Sequence, residues 1–316
     1  MSENWSIFDI KSDWLKDEIY VHGLKDEIKE MATVLGGPVK LSMNLGVDYN
    51  NCFKEWITGR APVRFSKLEQ LVNMGDQIFQ ETFQKRINSK ELYLSCMYSP
   101  HKMKFPKTIS EDLAYCTGII LGDGTLSGDS QNRGGNWGVS AIFDNFEHLN
   151  IFEAIIKKEF NISAKIGYPK NKKCYVSYFG SKPVHWFLRS YFDMHNGYKA
   201  SKISIPKVIL ESTNIKIKTA FLQGLFDSDG TIAKRKKTRR DVRFSSTSQT
   251  IVNQVDDLLN SLNIPHGRNT WLKNEKVLPL YTVSIQRKSS VLSFAQQIGF
   301  RHPGKAAKLA MYSPVV

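Results

Sequence analysis

Two stretches of this chain of 316 residues carry nearly the same phrase: GIILGDGTLS at 118–127 and GLFDSDGTIA at 224–233. Each is an apolar run closed by Asp-Gly-Thr, and the closing acids, Asp123 and Asp229, stand 106 positions apart. Paired carboxylates are the donor set of a hard divalent cation, and one written twice suggests two acids meant to meet. A lone carboxylate at a helix C-terminus faces the negative end of the helix dipole, and a second beside it adds repulsion. A Mg²⁺ ion held by Asp123 and Asp229, with the carbonyls of Gly122 and Ser228 and water completing its shell, reverses both penalties. An EF-hand is excluded: counting from Asp227, Ile232 falls where that loop needs glycine and Thr238 where it needs glutamate. The plainer reading makes Asp-Gly-Thr a helix stop, with Gly124 and Gly230 as left-handed caps. The second copy weighs against it.

The elements that must position these acids are legible around them. Ser110, followed by Glu111 and Asp112, is an N-cap with acids in the first turn, and a helix runs from there to the first Asp-Gly. Small residues stand four apart in both runs, Gly118 with Gly122 and Gly224 with Ser228, so each helix presents a strip along which another backbone can come close. Glycine inside a helix costs about 1 kcal/mol against alanine, which calls for a packing reason. After each Asp-Gly-Thr come strand-compatible residues, a helix ending in FNI (160–162) or LNI (262–264), short β-rich stretches, an amphipathic helix, and a lysine pair, KASK at 199–202 and KAAK at 305–308. The expectation is an α+β chain with two pseudo-symmetric halves, at 111–206 and 207–316. Residues 1–97 read as a small all-α unit and 98–110, with Pro100 and Pro106, as a linker.

These residues resemble the LAGLIDADG homing endonucleases, with GIILGDG and GLFDSDG as the two motif copies of the single-chain form. The resemblance covers about residues 107–316. It implies two αββαββα halves packed through the motif helices, each laying a β-saddle into the DNA major groove. It also implies Mg²⁺-dependent double-strand cleavage, with Mn²⁺ as a substitute, at Asp123 and Asp229. A basic residue from each half near the active site is implied as well, the candidates being Lys202, and Lys308 or Lys305. The earlier motif acid is present as Asp227 but is Leu121 in the first copy. The resemblance implies a monomer that acts on a long, near-asymmetric duplex site and behaves as a mobile element. The ends of the chain read as free-standing rather than intein-borne.

Charge supports a polyanionic partner. Lys and Arg exceed Asp and Glu by 14, and the sequence pI is near 9.5. The densest run follows the second motif directly: Lys234, Arg235, Lys236, Lys237, Arg239, Arg240 and Arg243. Lys170, Lys172 and Lys173 form a weaker counterpart in the first half, and Arg133 lies in a polar QNRGGNW stretch. These are candidates for phosphate and base-edge contacts. A second DNA-binding signal lies at 40–60, where Ser42, Gly46 and an amphipathic segment ending near Gly59 match a helix-turn-helix. Its second helix would present Tyr49, Asn50, Asn51 and Lys54. The four cysteines are widely spaced, which argues against disulfides or zinc. The polar N-terminus and the lack of long apolar runs suggest an intracellular protein. Rival readings are a non-cleaving DNA-binding regulator and an intron RNA maturase. The latter is disfavoured because the basic run lacks aromatics for base stacking.

Overall fold

A computed structural model describes residues 5–10, 13–97, 99, 101–128, 137–170, 172–197, 201–236, 239–272 and 278–311. Two copies of one element order fill the chain beyond residue 110. In the first, the helix Glu111–Asp123 leads to strands Gly124–Ser127 and Gly138–Phe143. Then come the helix Phe146–Phe160, strands Lys165–Gly167 and Tyr175–Gly180, and the helix Lys182–Phe192. In the second, Ile215–Asp229 leads to strands Gly230–Lys236 and Arg239–Ser246. The helix Gln249–Ser261, strands Gly267–Trp271 and Leu280–Ile285, and the helix Lys288–Gln297 follow, and Pro303–Ala310 adds a last short helix.

Each half folds into a four-stranded antiparallel sheet in which the fourth strand of the half lies beside the second. Register sets the faces. In the first sheet Val139 pairs with Leu126 and Phe179, and all three are buried against the helices. On the opposite face Ser140 pairs with Thr125 and Tyr178, none of them buried. In the second sheet Val242, Phe244, Val283 and Ile285 form the apolar face. Arg243, Ser245, Asn269, Thr282, Ser284 and Trp271 line a cleft of about 310 Å³ on the other. Each sheet is thus amphipathic, with one apolar face packed on the core and one polar face. The α+β reading with two pseudo-symmetric halves holds.

The reading of residues 1–97 as all-helical is corrected. Four short strands, Val63–Arg64, Ile19–His22, Tyr93–Cys96 and Met103–Lys104, form an antiparallel sheet in that order. At two to four residues each, they are too short for a period-two pattern to stand out against the helices around them. Residues 98–110 are not a free linker either. They supply the edge strand Met103–Lys104, and Met103 and Phe105 are buried. Phe105 packs edge-on against Phe187, and Trp5 meets Phe187, Tyr191 and Phe192 with ring centroids 5.0, 5.1 and 5.6 Å away. The Tyr191 hydroxyl donates to the Ser6 carbonyl (2.8 Å), and Lys182 pairs with Glu18. The head is therefore docked through an aromatic seam onto the first half.

Candidate metal and nucleic-acid site

The motif helices touch backbone to backbone, and their glycines are the reason. Ser110 caps the first helix, its Oγ accepting from the Leu113 amide at 3.0 Å. A Cβ on Gly224 would lie 2.0 Å from the Tyr115 carbonyl oxygen, and one on Gly118 would lie 2.4 Å from that of Phe221. A Cβ on Gly122 would meet Ser228 Oγ at 2.0 Å and Asp229 Oδ2 at 3.2 Å. The Asp229 carboxylate thus reaches the residue before Asp123, and the small-residue strips bring the two helix ends together. Gly124 and Gly230 are not left-handed caps: both are extended, at φ −98° and −77°. The chain leaves each helix so sharply that a Cβ there would sit 2.6 Å from the Ile120 carbonyl oxygen or 2.3 Å from that of Phe226.

Lys305 lies at this junction. Its Nζ donates to the carbonyls of Phe226, Asp227 and Ser228 at 3.1, 2.6 and 3.0 Å, placing a cation on the negative end of the second motif helix. Burial lowers its pKa, against the opposing pull of Asp227, Asp123, Asp144 and Asp229. All four carboxylates, both motif acids among them, therefore lie within its electrostatic reach. The Ser228 carbonyl, one of the expected cation ligands, already accepts from this lysine. Lys308 and Lys202 are exposed. Lys199, the counterpart of Lys305 in the repeat, lies outside the described residues.

Asp227 has a different role from Asp229. It is buried, and its Oδ2 accepts from the Tyr115 hydroxyl (2.7 Å) and from the amides of Arg301 (2.9 Å) and His302 (3.1 Å). Burial raises its pKa. His148 hydrogen-bonds Tyr115 at 2.9 Å, and its ring lies 4.8 Å from that of His302. His302 in turn meets Asp144 at 2.8 Å. The Arg301 guanidinium lies 4.3 Å from the centre of the Tyr115 ring and bonds Gln223 and Asp112. This network ties the first motif helix to the turn that leads into the helix carrying Lys305. Its members, Tyr115, His148, Arg301 and His302, lack any shared spacing that would mark them in the sequence. In the first copy Leu121 takes the place of Asp227, and it is buried.

As for the cation, both motif acids offer oxygen ligands at abutting helix ends, with Asp123 exposed and Asp229 half-buried. That chemistry suits a hard ion such as Mg²⁺. Among the described residues no group of three or more His, Cys, Asp or Glu side chains converges on a metal position. Two carboxylates would need carbonyl, water or substrate oxygens to complete the shell. All four cysteines are free.

The basic run lies on a hairpin. Lys234, Arg235 and Lys236 belong to the strand Gly230–Lys236, and Arg239, Arg240 and Arg243 to its antiparallel partner, with a bulge between Arg239 and Arg240. Arg243 is held by the buried Asp241 at 2.9 Å. Lys170, Lys172 and Lys173 are exposed in the connection before Tyr175–Gly180. Lys237 and Arg133 lie outside the described residues. In the head, helix Pro38–Asn44, Gly46 at φ +63° and a second helical segment, Tyr49–Phe53 continued by Lys54–Thr58, follow one another. Asn50, Asn51 and Lys54 are exposed and Tyr49 is half-buried.

Residues 216–299 match the family model of the LAGLIDADG-like domain. The chain carries a LAGLIDADG-like domain. The match spans the second motif helix and most of the second half, and the first half repeats the same element order. Two curated relatives are a DNA polymerase of Thermococcus sp. (strain GE8), 32% identical over 204 residues, and one of Thermococcus hydrothermalis, 33% identical over 200 residues. Each alignment covers 61% of this chain and 11% of the polymerase, so the chain spans about a tenth of the length of these relatives. A glutamine–fructose-6-phosphate aminotransferase of Methanocaldococcus jannaschii is 24% identical over 232 residues, 71% of this chain and 19% of that one. Among solved structures, a mesophilic variant of the homing endonuclease I-DmoI matches 64% of this chain and 97% of its own at 18% identity and a TM-score of 0.46. The homing endonuclease I-WcaI, bound to its DNA recognition sequence, matches 64% and 88% at 16% identity and a TM-score of 0.44.

No helix among the described residues is long and apolar enough to cross a membrane.

Proposed function

We propose that the protein is a site-specific double-strand DNA endonuclease of the homing type, using Mg²⁺ or Mn²⁺ at Asp123 and Asp229. The observation that carries this reading is the glycine-mediated contact of two motif helices, each ending in an aspartate. Relatives named for unrelated activities share only a tenth to a fifth of their length with this chain. That fits a portable module better than a share in either named activity.

When bound, the cation supplies Lewis-acid polarisation of the scissile phosphate and stabilisation of the leaving oxygen. The chain's own residues supply the rest. Asp123 and Asp229 offer the oxygens that hold it, and the abutting helices fix their spacing. Lys305, anchored on three carbonyls, sets positive charge where negative charge develops on the phosphate. The polar faces of the two sheets hold the duplex, with the basic hairpin on its backbone and the exposed Asn269 toward base edges. Among the described residues no side chain stands as general base, and an ordered water takes that role.

A regulator that had abandoned cleavage would have no need of both motif acids, and both persist. The RNA reading gains one observation: Trp271, beside Arg243 and Asn269 on the sheet face, is 69% exposed. Stacking on it suits an unpaired base. The test incubates the protein with Mg²⁺ and a genomic DNA pool and maps new ends by sequencing. Recurrent ends at one sequence, absent for Asp123→Asn/Asp229→Asn and in EDTA, support the nuclease. Retention of one sequence without ends in either metal makes it a binding protein.

A further inference from the structure

The head contains a cavity of about 380 Å³ that the motif site does not use. Three cations border it, Lys25, Arg60 and Lys102, and no acidic residue lines it among the described residues. All three are exposed. Arg60 leans on Glu55 at 3.3 Å, while Lys25 and Lys102 have no acidic partner among the described residues. Lys25 opens a ten-residue helix, Lys25–Val34, whose first turn has no side-chain cap. Its stem runs along Gly59, where a Cβ would come within 3.2 Å of Lys25 Cδ. At φ +77°, Gly59 ends the second helix of the helix-turn-helix and swings Arg60 toward the same cavity. The exposed side of that helix, with Asn50, Asn51, Lys54 and Thr58, therefore runs into a pocket lined by three cations and no acid among the described residues.

We propose that this cavity is a backbone-phosphate clamp for double-stranded DNA. It holds a phosphate of one strand between Lys25, Arg60 and Lys102 while the exposed side of Tyr49–Thr58 lies along the adjoining groove. The inference rests on the DNA reading above and adds a second contact region, remote in sequence from both sheets. Three cations around one recess fit a phosphodiester. The neutral, half-buried His22 in its wall adds no competing anion.

The test uses the full chain and a fluorescein-labelled duplex of 40 random base pairs, with affinity followed by anisotropy across NaCl concentrations. The variants are Lys25→Gln/Arg60→Gln/Lys102→Gln and the charge-keeping Lys25→Arg/Lys102→Arg, both checked for an unchanged thermal midpoint. Each lost phosphate contact reduces the slope of log K against log salt by about 0.9. The expected result is a triple-variant slope shallower by about one to two, with affinity at 0.1 M salt weakened about tenfold, and a wild-type slope for the arginine variant. A triple variant matching the wild type in slope and affinity overturns the clamp and leaves the DNA reading intact. A pocket that binds inorganic phosphate while the duplex slope stays unchanged overturns it as well. A wild type that fails to bind duplex sinks the DNA reading itself.

Discussion

Gly224→Ala tests the helix contact on which the site depends, because its sign is opposite to the ordinary expectation. In an unobstructed helix, replacing glycine with alanine stabilises by about 1 kcal/mol. Here the new methyl would stand 2.0 Å from the Tyr115 carbonyl oxygen, 2.9 Å from its carbon and 3.2 Å from the Ile119 amide, all backbone atoms that cannot rotate away. Restoring even a tight contact of 3.0 Å means opening the helix crossing by about 1 Å. Overpacking of this kind costs about 1–3 kcal/mol, and a rigid partner puts the cost at the upper end. After the propensity gain, a net loss of about 2 kcal/mol is expected in urea unfolding. The same opening displaces Asp123 from Asp229, and a 1 Å misplacement of reacting groups lowers rate by about 100-fold. Gly267→Ala, where a Cβ meets only Ser284 Oγ at 3.8 Å, is the control and should stay within about 0.5 kcal/mol of wild type. A Gly224→Ala protein more stable than wild type would refute the close contact.

Other expectations follow from the buried network. Asp227→Ala leaves the amides of Arg301 and His302 without their acceptor and should destabilise by about 3 kcal/mol; Asp227→Asn keeps an acceptor oxygen and should lose less than about 1 kcal/mol, both read by urea melts. Burial pulls the pKa of His148 down to about 3 and that of His185 to about 4, so the unfolded chain takes up these protons first as pH falls below 6.5. Each should remove about 2 kcal/mol of stability between pH 6.5 and 5. The raised pKa of Asp227 works the other way, since the folded protein takes up that proton first; Asp112 and Asp144, both lowered, destabilise only below their ordinary range. Unfolding curves at pH 7 and 5 check the balance, and a protein equally stable at both would contradict neutral buried imidazoles. Removing the anchored cation with Lys305→Met should slow cleavage by about 100-fold in single-turnover assays while duplex affinity changes little.

The repeated part of the chain was legible because it is written twice. Repetition of Gly118 and Gly122 as Gly224 and Ser228, each ahead of an Asp-Gly, carried both the helix contact and the acid pair. The motif-acid neighbours were not legible. Tyr115, His148 and His302 reach Asp227 from sequence distances of 112, 79 and 75 residues, and no local pattern encodes such contacts. Of the lysine candidates, sequence alone could not separate Lys305 from Lys308, since only the turn at Arg301–His302 decides which one faces the helix end. In the head, strands of two to four residues fell below the length at which alternation can be read, and Phe105 looked like linker because its aromatic partners lie beyond residue 180.

The central claim is that Asp123 and Asp229 hold one shared cation. Mn²⁺ titration followed by electron paramagnetic resonance, with a cleavable duplex present, tests it on the wild type, Asp123→Asn and Asp229→Asn. A shared site is expected to vanish in either single variant, with no further loss in the double. Two independent sites, each surviving loss of the other aspartate, or a full complement of bound Mn²⁺ in the double variant, would contradict it.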